Sequence, residues 1–91
     1  MSSSGFATVD PATGEQIEIF DFYGAAETEK VVSEASQGFQ SFRKLNVHSR
    51  ARLFAELAVA LRKNKASLAR IVTTEMGKTL SEAEAEVEKC A

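Results

Sequence analysis

Cys90 is the only thiol in the 91-residue chain and His48 the only imidazole. A nucleophilic cysteine needs a nearby base or an electropositive setting. Cys90 has Glu86, Glu88 and Lys89 beside it and continues an apolar Leu80-Ala83-Val87 seam, so it reads as a packing residue. His48 stands in a polar connection, where a lone histidine is a surface or capping residue. With no second histidine and no paired cysteine, no metal site is assigned. Glu82, Glu84, Glu86 and Glu88 alternate. On a helix that spacing spreads carboxylates around the surface, whereas acid–base work needs two that converge. Gly14 reads as a turn glycine and Gly77-Lys78 as a helix end. A helix N-terminus after Gly77-Lys78 could hold an anion, but no Walker-type or Gly-x-Gly-x-x-Gly loop accompanies it. No catalytic, cofactor-binding or metal-ligating residue is therefore assigned.

The elements that would position such groups follow from local pattern. Residues 1–5 read as a disordered start and 6–22 as a β-hairpin. Its turn, Asp10-Pro11-Ala12-Thr13-Gly14, combines an Asp that accepts a local backbone bond, a Pro that presets φ, and a Gly that tolerates positive φ. Ile17 and Ile19 alternate against Phe20 and Phe22, so the second strand carries apolar groups on both faces. The period then becomes helical. Helices are expected over about 27–44, 48–63, 65–76 and 79–91. Val31, Val32, Ala35, Phe39 and Phe42 stripe the first, which has Glu27 and Glu29 in its first turn and Arg43 and Lys44 in its last. Gly38 inside it would serve close packing. Asn46 is a candidate cap for the second helix, and Leu53, Phe54, Leu57, Ala58 and Leu61 form its stripe. The pattern hesitates at Asn64-Lys65, giving two consecutive helices or one kinked one. Gly77 is the expected stop, and Thr79 with Glu82 fits a capping box. The last helix is still running at Ala91, which reads as the beginning of a longer chain.

Composition bounds the function. At this length folding hides only about 60–65% of the unfolded surface, and a two-domain enzyme does not fit. The chain is 44% hydrophobic and 26% charged, with a net charge of −2. No apolar run or secretory leader is visible, so a membrane partner is not expected and a reducing cytoplasmic setting is. The charges are segregated: residues 1–34 hold seven acids and one base, 35–74 one acid and eight bases, and 75–91 five acids and two bases. Without interleaved aromatics the basic middle does not read as a nucleic-acid site. It reads as a solvated surface, or as the mate of acidic segments in this fold or in a partner.

Taken in order, several segments resemble the NAD(P)-dependent aldehyde dehydrogenases. Val9-Asp10-Pro11-Ala12-Thr13-Gly14-Glu15 is similar to the family's opening turn, with Asp10 where an Asn is usual. Gly38-Phe39-Gln40-Ser41-Phe42-Arg43 resembles the end of its first helix, with Phe42 in place of a Trp. Ser49-Arg50-Ala51-Arg52-Leu53-Phe54 resembles its arginine-containing second helix. Thr74-Glu75-Met76-Gly77-Lys78-Thr79-Leu80 looks like its Glu-x-Gly-Lys segment, worded as in the succinate-semialdehyde dehydrogenase branch. The resemblance implies an α/β parent fold with a doubly wound cofactor domain. This chain would be its mostly α-helical N-terminal portion, residues 6–91, a β-hairpin followed by about four helices. It implies oxidation of an aldehyde, succinic semialdehyde foremost, with NAD or NADP as cofactor of the parent family. The family's nucleophile, base and cofactor turn lie farther along. Cys90 lacks the Gly-Gln that precedes the family's nucleophile, so the chain alone is expected to be inactive and to bind no cofactor. Its expected partner is the remainder of the dehydrogenase, or a second copy through exposed apolar faces. The alternative is a small helical interaction module without catalysis.

Overall fold

The Asp10 carboxylate begins the architecture locally. In a computed structural model that describes residues 5–91, Asp10 Oδ1 accepts from the Ala12 amide at 2.8 Å. The Gly14 amide bonds Asp10 O at 2.7 Å, and Gly14 takes a φ of 76°. This turn joins β1 (Gly5–Val9) to β2 (Gln16–Asp21) as an antiparallel pair. The expected unstructured start falls on residues 1–4, outside the described residues, while Gly5 opens β1. Phe6 pairs with Phe20, and the Phe6 ring lies 5.4 Å from Phe20 and 5.8 Å from Phe22. Between the Thr8–Glu18 and Val9–Gln16 pairs the register shifts, leaving Ile17 as the extra residue of a bulge. That bulge explains the imperfect alternation of β2: Ile17 and Phe20 line one groove although their spacing should separate them.

Helix α1 (Ala25–Phe42) begins and ends two residues before the expected 27–44. Ala25 and Ala26 are good helix formers, and Thr28 Oγ1 ties the first turn by donating to Gly24 O at 3.0 Å. Tighter i→i+3 bonds, Lys44 N to Ser41 O and Leu45 N to Phe42 O, end it. Arg43 and Lys44 are thus past the last turn rather than in it, and Arg43 instead lies 5.9 Å over the Phe39 ring. Nothing approaches Gly38, so the close packing expected there is not made.

Helix α2 (Val47–Lys63) is capped by Asn46, whose side chain accepts from the Ser49 amide at 2.8 Å. The hesitation at Asn64 is a true break. Asn64 leaves helical geometry at φ −101°, ψ 12°, and its Nδ2 donates to Ala60 O at 2.8 Å. It closes α2 and starts α3 (Lys65–Met76). Gly77 ends α3 in the left-handed region at φ 77°. Thr79 caps α4 (Leu80–Cys90) and so stands outside the helix expected to include it. Its hydroxyl accepts from the Glu82 amide at 3.3 Å, which is half of the expected capping box.

Packing is concentrated in one corner. Helices α3 and α4 form an antiparallel helical hairpin, with α2 laid against both. Ala69, Ala83 and Val87 are buried there. No large side chain among the described residues is fully buried. The molecule measures 48 × 39 × 14 Å, little thicker than one helix. Its radius of gyration of 17.6 Å exceeds the roughly 12 Å of a compact domain of this length. The α/β parent fold lies beyond what this arrangement displays; the chain itself is a hairpin and four helices.

Candidate functional site

The most constrained point in the molecule is the corner between α3 and α4. A left-handed turn favours Gly because any Cβ is strained there. At Gly77 a second reason applies, since an added Cβ would lie 3.2 Å from Pro11 Cγ. The tip of the β-hairpin is seated on the end of α3. One residue on, the Lys78 ammonium meets the carboxylate of Glu86, about two turns into α4, at 2.8 Å. The bond to Glu86 and its charge hold the Lys78 pKa above the usual lysine value. At the other end of α4, Glu88 accepts from Arg62 Nε at 2.9 Å and lies 3.5 Å from Lys65 Nζ. The Arg62 bond comes first among the causes that hold the Glu88 carboxyl below its usual value. One carboxylate thus ties α4 to both sides of the Asn64 break.

The residues singled out for chemistry do not converge. His48 is exposed in the first turn of α2, and Cys90 is exposed at the last residue of α4. Among the described residues neither makes a side-chain hydrogen bond, and no group of three or more His, Cys, Asp or Glu stands together as a metal would require. Cys90 borders an apolar groove of about 300 Å³ with Leu61, Leu68, Val72 and Val87. Its expected seam is therefore buried at Ala83 and Val87 and open at both ends, Leu80 and Cys90. The glutamate run is more than a solvated face. Glu86 and Glu88 each hold a cation, a pairing hinted at only by the acidic tail following a basic middle.

The Gly77-Lys78 turn does not fit a dinucleotide phosphate. Pro11 occupies the open side of Gly77, Lys78 is engaged by Glu86, and the Glu82 carboxylate sits in the first turn of α4. A second groove, about 560 Å³, runs between β2 and α3, with Ile17, Phe20 and Ile71 as its apolar lining and Arg70 and Glu75 at its rim. The contact between Pro11 and Gly77 escaped the sequence reading, because nothing local links two turns so far apart in the chain. The one available signal was that both turns are glycine-dependent.

The hairpin tip is seated on a helical corner, and no set of reactive groups converges among the described residues. The chain belongs to the aldehyde dehydrogenase family, whose family model matches residues 1–91. It is 37% identical over 84 residues to a succinate semialdehyde dehydrogenase [NAD(P)+] of Escherichia coli, covering 92% of this chain and 18% of that protein. It is 36% identical over 85 residues to a probable succinate-semialdehyde dehydrogenase [NADP(+)] of Synechocystis, covering 93% and 19%. A 3-sulfolactaldehyde dehydrogenase of Pseudomonas putida is 35% identical over 86 residues, covering 94% and 18%. The chain spans under a fifth of the length of these relatives. No described helix is long and apolar enough to cross a membrane.

Proposed function

We propose that this chain supplies the N-terminal scaffold of an NAD(P)-dependent aldehyde oxidoreductase and is inactive alone. The observation that carries the reading is the Pro11–Gly77 seat. It joins the two segments whose wording most resembles the family, Asp10-Pro11-Ala12-Thr13-Gly14 and Glu75-Met76-Gly77-Lys78. Succinic semialdehyde is the proposed substrate, because two of the three relatives named above carry that substrate in their names. The role of these residues is to position: the hairpin is pinned to α3, and α4 is fixed by Glu86 and Glu88. The proposed nucleophile, base and nucleotide-binding groups come from polypeptide outside these residues. No step of the reaction is assigned to Cys90 or His48.

A chimaera tests this. Residues 5–91 replace the matched segment of the E. coli relative, and aldehyde-dependent NAD(P)H formation is followed with succinic semialdehyde. The expected result is an active chimaera and no turnover by the 91-residue chain. Turnover by the chain alone, or a folded chimaera without activity, overturns the reading.

A further inference from the structure

Helix α1 stands apart from the packing in the corner. The principal contacts between elements join β1 to β2, and α2, α3 and α4 to one another; α1 is in neither group. None of its residues is buried, and Val31, Val32 and Phe39 are 47%, 63% and 57% exposed. The side-chain bonds it makes among the described residues are local: Thr28 to Gly24 O, Arg43 to Gln40, and Lys30 with Glu34 at 4.0 Å. The elements on either side are held elsewhere. Pro11 of the preceding hairpin lies against Gly77, and α2, which follows, packs on α3 and α4. Helix α1 is therefore a strap with seated ends and an uncovered span.

Little in that span favours helix by itself. A helix without tertiary packing is marginal in water even when rich in alanine, because its first turn is costly to form and each later residue gains little. Half of the 18 residues of α1 are weaker helix formers: Thr28, Val31, Val32, Phe39 and Phe42, three serines, and Gly38. Gly24 caps the start without a side-chain bond. The Lys30–Glu34 pair has its base on the N-terminal side, which is the weaker order. Unwinding α1 uncovers no buried residue, whereas opening α3 and α4 uncovers Ala69, Ala83 and Val87. We propose that α1 is an independently opening strap, which unwinds and rewinds while the α2–α3–α4 corner stays folded. The chain then has two stabilities, where a small domain usually has one. Each unit opens at a free energy set by what it buries.

Native-state amide exchange on the 91-residue chain, followed residue by residue by NMR, reads both units. Amides over 29–42 should be slowed less than about tenfold relative to an unstructured peptide. The most protected amides of α3 and α4 should be slowed at least about a hundredfold more than those. Two substitutions in α1 sharpen the contrast. Val32→Pro should abolish the α1 helix, and Gly38→Ala should slow exchange within α1 by up to about fivefold. Neither should change exchange in the corner by more than about twofold. Equal protection of α1 and the corner overturns the proposal, whether both are high or both are low. So does a larger response of the corner to either substitution, because it would show that the two open together.

Discussion

The α3–α4 corner and helix α1 have similar apolar stripes in sequence and opposite fates in the molecule. In the corner the stripes of two helices meet and bury Ala69, Ala83 and Val87. Along α1 no residue is buried. The difference lies in connection and size, not in hydrophobicity. Gly77, Lys78 and Thr79 turn the chain back on itself within one short corner, and small alanines let the backbones approach closely. Helix α1, of 18 residues, leaves its corner at Arg43–Asn46 without a facing partner. A stripe marks what a helix is able to bury; whether it does so depends on what the next turn brings opposite.

The largest effect should come from Ala83→Asp. It places an unpaired carboxylate at a fully buried site, with an expected loss of about 3 kcal/mol or more. Phe39→Asp on exposed α1 should cost under about 0.5 kcal/mol in the same chain. Urea unfolding followed by circular dichroism compares the two. Equal losses would end the distinction between the regions.

Next is Gly77→Ala. It forces a Cβ into a left-handed φ and toward Pro11. An expected loss of about 1–2 kcal/mol follows from the backbone conformation and the contact together. Adding Pro11→Ala should relieve only the contact part. Full recovery of the melting temperature in that double variant would show that the φ requirement carries nothing.

Asn46→Ala removes the α2 cap and should cost about 1 kcal/mol. Asn64→Ala at the break should instead loosen the α2–α3 joint, seen as faster amide exchange on both sides of it while α1 is unchanged.

The smallest effect is ionic. The Glu88 carboxyl is held below its ordinary value of 4.5, so its contribution is present above that value and is lost as pH falls through the lower folded value. Lys78 runs the other way. Its pKa is raised above 10.5, so its contribution is present below 10.5 and is lost as pH climbs past the folded value. Both groups are exposed at the surface, where such pairs are weak. An NMR titration should place the Glu88 midpoint below 4.5, and Arg62→Ala should move it back up. An unmoved midpoint would detach α4 from its proposed tie to α2.

Local hydrogen bonding made much of this fold legible from the residues. Asn46, Thr79, Gly77 and the Asp10 turn act through neighbours two to four positions away, and each does what its side chain predicts. The family resemblance rested on those same short signals and is confirmed across the chain. What stayed hidden depends on distant partners. The seat of Pro11 on Gly77 is one case, and the choice of Glu88 by Arg62 and Lys65 is another. The Ile17 bulge was visible only as broken alternation, because one strand cannot reveal the register of its mate. The exposure of α1 was hidden for the same reason.

Asn64 is at once the end of one helix and the start of the next, with no spare residue between them. The two helices are therefore geared. Inserting one residue at this joint would turn everything beyond it by about 100° and advance it about 1.5 Å. The α3–α4 hairpin would swing off α2 as one body, with Lys65 and Glu88 travelling together and Arg62 left behind. Tolerance to change at this position is then set by phase: a different side chain can be absorbed, but a different number of residues cannot.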